Sequence, residues 1–182
     1  MGRASKEQAA LNRVRVVETA ARMFQEHGVA GVGIADLMAA AGMTHGGFYR
    51  QFACKDDVAA EACTHAMDRA VGYWSDIAAR QSEESRLSAL TDSYVAGNMA
   101  QHKCPMPALA GEMAREPIDS PVRQAFTQGV RGLADVLTGD GERERALRQL
   151  AAMVGAVTLA RASSDPVFAA EILGAVRRMA RP

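Results

Sequence analysis

The sequence lacks the features of secreted, membrane and metal-binding proteins. Its 182 residues include only three cysteines, and three widely spaced cysteines argue against a disulfide framework. No run of 18 apolar residues occurs, which argues against a membrane span, and the polar start of the chain argues against a secretory signal. The four histidines are scattered, so no group of residues has the spacing of metal ligands. We therefore expect a cytoplasmic protein without a metal or cofactor.

An excess of charge of one sign is also absent. The 21 basic and 21 acidic residues give a formal net charge of zero, which excludes the strongly basic tails that bind nucleic acid without sequence preference. The charge is unevenly distributed, because residues 1–55 carry seven Lys or Arg against four Asp or Glu, a net charge of +3. Residues 56–182 carry fourteen against seventeen, a net charge of −3. Contact with a polyanion is therefore expected from the N-terminal third.

Helix-favouring residues dominate the chain, and no segment alternates polar and apolar residues with period two. The sequence therefore predicts an all-α fold of about nine helices. The first helix contains an apolar stripe from Leu11 and ends at Gly28, and a short second helix ends at Gly42. Thr44 is placed to cap a third helix that runs to about Phe52. Two helices joined by a tight glycine-containing turn within about twenty residues are typical of a helix-turn-helix.

The remaining residues predict six further helices, at about residues 55–80, 84–102, 108–116, 121–137, 142–162 and 166–181. Ser120-Pro121 and Asp165-Pro166 are each typical of a helix start, because a capping side chain precedes a proline. The long helix that begins at Lys55 contains no strong breaker. It would join a DNA-binding domain, residues 1–54, to a ligand-sensing and dimerisation domain, residues 55–182.

Residues 14–58 resemble the DNA-binding domain of the TetR/AcrR family of bacterial transcriptional regulators. The motifs that carry the resemblance are Phe24-x-x-x-Gly28, Ile34-x-x-Leu37, Ala41-Gly42-Met43-Thr44, Phe48-Tyr49-x-x-Phe52 and Lys55-Asp56. It implies three helices for DNA binding and six for ligand binding and dimerisation. Three positions depart from the family pattern, since Gly33 and Cys54 stand where a capping residue is common and Gln51 replaces a frequent histidine.

The resemblance also implies which residues contact DNA. Phe48 and Phe52, four residues apart, would pack one face of the third helix onto the first two. Base edges would be read from the front of this helix by Thr44, His45, Gly47 and Arg50. Phosphates would be bound beside the helix by Tyr49 and Lys55. Arg50 could instead reach a phosphate. Gly46 and Gly47 together lower the helix stability by about 1–2 kcal/mol, so the helix must be held by the packing of the two phenylalanines or must tighten on DNA.

Several side chains of the second domain are candidates for an effector pocket. The main ones are Trp74, Tyr94, Met99, His102, Cys104, Met106, Met113 and Phe126, and Tyr73, Leu109 and Met153 are further ones. Methionine is adaptable and suits apolar binding sites that accept different ligands. The alternative interpretation is that these residues form an ordinary core.

Cys104 has a second possible role. It follows Lys103 and lies two residues from His102, and positive charge nearby lowers the pKa of a thiol. The segment is also similar to a cysteine-containing turn in a branch of the family that senses electrophiles or oxidants. The C-terminal end of a helix raises a thiol's pKa, however, and buried cysteines are usually inert. Sensing by Cys104 is therefore an alternative to reversible ligand binding.

The sequence predicts a transcriptional regulator and not an enzyme. We expect a homodimeric repressor that leaves a pseudo-palindromic operator when a small-molecule or thiol-reactive inducer engages the second domain. The resemblance assigns the dimer interface to the last two helices, where Ala151, Gly155 and Ala156 would let a partner helix approach closely. Two other functions are considered, namely a thiol-dependent enzyme that uses Cys104 with His102, and a helical adaptor whose DNA-binding domain is vestigial.

Overall fold

The computed structural model describes residues 6–96 and 104–181, and within these ranges it contains helices and no strand. The elements are α1 Lys6–His27, α2 Ile34–Ala40, the 3-10 helix η1 His45–Arg50, α3 Lys55–Ala78, α4 Glu83–Val95, α5 Pro105–Met113, α6 Pro121–Thr138, α7 Arg143–Ala162 and α8 Pro166–Met179. The predicted all-α fold of about nine helices is therefore confirmed. α4 ends at Val95, and the rest of the predicted helix 84–102 lies outside the described residues apart from Ala96.

The chain divides into two compact units. The first contains the described residues up to Met67 together with Ala108–Thr127, and the second contains the described residues of Asp68–Pro107 and Gln128–Pro182. The change of unit therefore falls inside α3 and not at its first residue. The functional boundary between residues 54 and 55 stays a prediction.

The core of the first unit forms around α1. This helix buries five side chains at helical spacing: Val16, Val17, Ala20, Ala21 and Phe24. α2 packs against both α1 and η1 and buries Leu37 and Met38. Burial of these apolar surfaces stabilises the three-helix arrangement, because helices as short as α2 and η1 are marginal on their own.

Two glycines end the first two helices in the left-handed backbone conformation, as predicted. Gly28 has φ +75° and Gly42 has φ +72°. After α2 the Met43 amide donates to the Met38 carbonyl at 2.8 Å, and the Gly42 amide donates to the Ala39 carbonyl at 3.0 Å. This pair of bonds is a Schellman motif, which glycine adopts without the steric cost that a Cβ atom would add. The motif fixes the direction in which the chain enters η1.

In the second unit, α4 packs against α7 and α8, and α7 packs against α8. The three helices share a buried polar network. The Gln149 side-chain amide donates to the Thr91 hydroxyl at 3.1 Å and to the Val176 carbonyl at 3.2 Å, and Thr91 donates to the Leu87 carbonyl at 2.8 Å. Buried polar groups must find partners, so this network specifies one register for the three helices.

Candidate nucleic-acid interface

The interface is built on η1, which is anchored in the core by two buried phenylalanines, Phe48 within it and Phe52 just after it. Phe48 is 0% exposed, Phe52 is buried beside it, and the two ring centroids are 5.4 Å apart. This packing confirms the predicted role of both residues. It presents the opposite side of η1 to solvent.

The predicted nine-residue helix from 44 to 52 is wrong in length and type. η1 is a six-residue 3-10 helix over His45–Arg50, with i to i+3 bonds from the Gly47 amide to the Thr44 carbonyl and from the Gln51 amide to the Phe48 carbonyl. Two adjacent glycines have low α-helix propensity, which fits a short, tighter helix at this position. Thr44 occupies the N-cap position in an extended conformation, but its side chain makes no capping hydrogen bond.

The side chains predicted to contact DNA are mostly exposed. Thr44, His45 and Arg50 are exposed, and Tyr49 is 62% exposed. The Tyr49 ring stands edge-on to His45 and to Phe48, with centroid distances of 6.1 and 5.2 Å. Tyr49 is therefore supported at its base by a buried ring, while most of its own surface faces solvent.

The two glycines of η1 differ in what they face. A Cβ atom at Gly47 would lie 3.5 Å from the Met38 side chain, so this predicted contact residue is turned toward α2. A Cβ atom at Gly46 would meet nothing within 4 Å. Gly46, which sequence reasoning did not select, is therefore the glycine whose backbone faces open space. The two adjacent glycines are visible in the sequence, but the sequence does not indicate which of them faces outward.

Lys55 is the first residue of α3 and is partly exposed. The side chain of Asp57 closes the turn before it, because its carboxylate accepts hydrogen bonds from the amides of Ala53 at 3.0 Å and Cys54 at 3.2 Å. Asp57 thus binds backbone amides at the helix start, where Cys54 replaces the usual capping residue. These hydrogen bonds stabilise the turn before Lys55, which follows η1 in the sequence.

Arg13 of α1 is the residue that sequence reasoning missed. Its guanidinium lies 4.2 Å from the centroid of the Phe52 ring, pairs with Glu61 of α3 and donates to the Gln51 carbonyl directly after η1. These partners lie 38 to 48 residues away in the sequence, so no local pattern could have indicated them. Arg13 connects the end of η1 to α1 and α3.

The predicted effector residues fall in different parts of the structure. Four of them, Trp74, Tyr94, Cys104 and Met106, are buried in the second unit, whereas Met113 and Phe126 belong to the first. Met99 and His102 lie outside the described residues. Of the further candidates, Tyr73 and Met153 lie in the second unit and Leu109 in the first.

Trp74, Tyr94 and Cys104 form a cluster. The rings of Trp74 and Tyr94 are perpendicular, with centroids 5.6 Å apart, and the Tyr94 hydroxyl lies beside the Cys104 thiol. Within the described residues this buried hydroxyl has no well-formed hydrogen bond. The cluster therefore combines two buried aromatic rings with a hydroxyl and a thiol, which are its polar groups.

The Cys104 thiol is 2% exposed, and burial raises its pKa to about 11. The Met106 backbone amide, the Tyr94 hydroxyl and the positive charge of Arg161 favour the thiolate but do not outweigh burial. Of the two opposing effects that the sequence suggested, burial therefore outweighs nearby positive charge. Lys103, the cation that suggested a lowered pKa, lies outside the described residues. At neutral pH the thiol is protonated and a poor nucleophile.

Neither a metal site nor a membrane span appears in the described part of the chain. Among residues 6–96 and 104–181, no three His, Cys, Asp or Glu side chains are grouped so that they could hold a metal ion. No helix in these ranges is both long and apolar enough to cross a lipid bilayer.

The geometry agrees with comparisons to known proteins. Residues 16–62 match the family of bacterial regulatory proteins called the tetR family, and no curated protein matches the chain in sequence. These 47 residues contain α2 and η1, the end of α1 and the start of α3. The matched segment therefore includes both helices of the helix-turn-helix.

Several solved structures share the fold over nearly the whole chain. E. coli NemR in its reduced form has a TM-score of 0.78 and 19% identity, covering 92% of this chain and 95% of NemR. A TetR-family transcriptional regulator from Cytophaga hutchinsonii has a TM-score of 0.76 and 18% identity, with 98% and 96% covered. A TetR regulator from Chloroflexus aurantiacus has a TM-score of 0.74 and 24% identity, with 94% and 95% covered.

Residues 16–62 match the tetR family of bacterial regulatory proteins, and the described helices share their fold with solved TetR-family regulators.

Proposed function

We propose that the protein is a homodimeric repressor that binds a pseudo-palindromic operator in the cytoplasm and leaves it when a small molecule binds the second unit. The main support for this proposal is that η1 exposes one side to solvent while Phe48 and Phe52 are buried on the other. A helix that is fixed on one side and exposed on the other is what insertion into the major groove requires.

The residues around η1 divide the work of DNA binding. Thr44, His45 and Arg50 are placed to reach base edges, because they lie on the exposed side of the helix. Tyr49 has a phenolic hydroxyl and Lys55 has an ammonium group, both of which donate to phosphate oxygens. Phosphate contacts position the protein, whereas base contacts select the sequence.

α7 and α8 carry the exposed apolar surface that a dimer would cover. Five large apolar side chains on these helices are exposed: Leu147, Leu159, Val167, Phe168 and Met179. Several exposed large apolar side chains on two helices that pack together support an interface there. A two-fold dimer through these helices would place two copies of η1 in successive major grooves, about 34–36 Å apart.

The cluster of Trp74, Tyr94 and Cys104 supports the proposal of a reversible effector. An apolar or aromatic small molecule with a hydrogen-bonding group would replace core contacts and give the Tyr94 hydroxyl a partner. NemR, which shares the fold, was crystallised in a form called reduced, so sensing through a thiol is the second candidate. The buried, protonated state of Cys104 favours reversible binding over thiol chemistry.

Replacing Lys55 with alanine tests the DNA-binding proposal. The DNA is a duplex selected from a random-sequence library by the unmodified protein. We expect weaker binding to all sequences, and the slope of log affinity against log salt should become less steep by about one, because one phosphate contact is lost. Fluorescence anisotropy at several salt concentrations measures both quantities.

The matched control is Arg22→Ala, which removes the same charge from an exposed ion pair with Glu26 on α1. This variant should bind almost as the unmodified protein does. Unchanged affinity and slope in Lys55→Ala would show that Lys55 does not contact phosphate. If the unmodified protein selects no duplex at all, the proposed function itself is wrong.

Thiol labelling distinguishes the two modes of effector sensing. At pH 7.5, N-ethylmaleimide should modify the exposed Cys54 and leave Cys63 and Cys104 intact, because both are buried and burial raises their pKa to about 12 and about 11. All three should react in guanidinium chloride. Mass spectrometry of the digested protein locates each adduct.

The Cys104→Ser variant is the control for this experiment. Under the reversible mode, it should release DNA in diamide to the same small extent as the unmodified protein. Rapid native labelling of Cys104, together with diamide release that the serine variant loses, would instead establish Cys104 as the sensor.

A further inference from the structure

The Arg13 side chain uses all three of its nitrogen atoms within the first unit. Nε donates to Glu61 Oε2 at 3.1 Å, Nη2 pairs with Glu61 Oε1, and Nη1 donates to the Gln51 carbonyl. The guanidinium carbon Cζ also lies over the Phe52 ring, 4.2 Å from its centroid. One side chain thus contacts the backbone after η1, the buried ring that supports η1, and the first turns of α3.

The C-terminal end of η1 needs such a contact. The last carbonyl groups of a helix lack partners inside the helix, and a cation near them is favourable. η1 contains two glycines and only a few 3-10 hydrogen bonds, so its own backbone gives it little stability. The Gln51 side chain adds little support, since its Nε2 lies 3.8 Å from the Met43 sulfur and its Oε1 has no described partner.

We propose that Arg13 is a positioning residue that holds the C-terminal end of η1 against α1 and α3 and thereby sets the affinity for DNA without touching DNA. The inference rests on the proposed DNA-binding function. This arrangement requires an arginine. Only the planar guanidinium can, at the same time, pair with a carboxylate through two nitrogens, donate a third hydrogen bond and lie over an aromatic ring. A lysine could satisfy one of these contacts at a time.

A direct phosphate contact is the competing explanation for any loss of binding, since the Arg13 side chain is 39% exposed. The two roles differ in their salt dependence. Losing a phosphate contact makes the salt slope less steep by about one, whereas losing a positioning contact lowers affinity at every salt concentration and leaves the slope unchanged.

The experiment compares Arg13→Met, Arg13→Lys and Glu61→Gln with the control Arg22→Met, which removes an arginine from an exposed pair on the same helix. Binding to the selected duplex is measured by fluorescence anisotropy at several salt concentrations. We expect Arg13→Met and Arg13→Lys to bind about tenfold more weakly or worse with an unchanged slope, because charge-assisted hydrogen bonds are lost. Glu61→Gln should lose less, and Arg22→Met should bind within about twofold of the unmodified protein.

Hydrogen exchange without DNA provides the second measurement. In Arg13→Met, the amides of residues 45–52 should exchange about tenfold faster while those in the middle of α1 stay protected. This readout distinguishes loss of local positioning from loss of overall stability, which would raise exchange throughout the first unit.

Three outcomes overturn the inference. They are unchanged affinity in Arg13→Met, a salt slope reduced by about one, and full recovery of binding and exchange protection in Arg13→Lys. Failure of the unmodified protein to bind any duplex would overturn the proposed function instead, and the exchange measurement would still decide whether Arg13 holds η1.

Discussion

Phe48→Ala is expected to lower the free energy of unfolding by about 3–5 kcal/mol and to abolish binding to the selected duplex. The ring is fully buried and contacts both Tyr49 and Phe52. Truncation removes this burial and leaves a cavity beneath η1, which the short helix cannot fill without moving. Urea unfolding followed by circular dichroism measures the change in stability.

The neighbouring residue provides the matched control. Tyr49→Ala removes a ring of similar size that is mostly exposed, so its unfolding free energy should change by only about 0.5 kcal/mol or less. DNA binding should nevertheless fall, because the phenolic hydroxyl is a proposed phosphate donor. Phe48→Leu, which keeps most of the volume, should recover much of the stability. If the free energy of unfolding of Phe48→Ala equals that of the unmodified protein, the buried Phe48 ring does not stabilise η1.

The features that sequence reasoning predicted are those with local causes. Gly28 and Gly42 end helices because a single backbone conformation requires them, and that requirement is readable from one residue. Phe48 and Phe52 are both buried, as their apolar side chains predict, although η1 ends at Arg50 and Phe52 lies just after it. Asp165 caps α8 as predicted, accepting hydrogen bonds from the Val167 and Phe168 amides at 2.8 and 3.2 Å.

The features that it missed depend on contacts between distant segments. Ser120 precedes Pro121 as a cap would, yet its buried hydroxyl has no partner among the described residues. The Arg13 contacts with Glu61 and Phe52 need the folded first unit, and so does the orientation of Gly47 toward Met38. Local spacing predicts which side chains share a helix face, but it contains no information about which distant atoms they meet.

The same limit applies to the chemistry of Cys104. Its sequence neighbours suggested a lowered pKa, whereas the raised pKa follows from burial, which depends on the packing of the second unit. Among the described residues, the cation that favours its thiolate is Arg161, far away along the chain. The pKa of a buried group is therefore a property of the fold and cannot be predicted from adjacent residues alone.

The second large effect is expected from Phe168→Glu, which should convert the dimer to monomers and weaken operator binding by about 10² to 10⁴. Phe168 is 53% exposed in the first turn of α8, where a carboxylate also suits the positive end of the helix dipole. The protomer should therefore fold normally. A charge in the middle of an apolar interface has no partner when two copies associate, so the dimer is destabilised.

Loss of the dimer should lower DNA affinity even though η1 is unchanged, because each monomer would bind one half-site without the gain from linking two. Sedimentation velocity gives the oligomeric state, and anisotropy gives the affinity for the selected duplex. The control is Ile118→Glu, which adds the same charge at a residue that is 83% exposed and lies between α5 and α6. This variant should stay dimeric and bind normally. If Phe168→Glu stays dimeric and binds DNA with full affinity, the dimer interface lies elsewhere. If it stays dimeric but binds DNA poorly, α8 affects DNA binding independently of dimerisation.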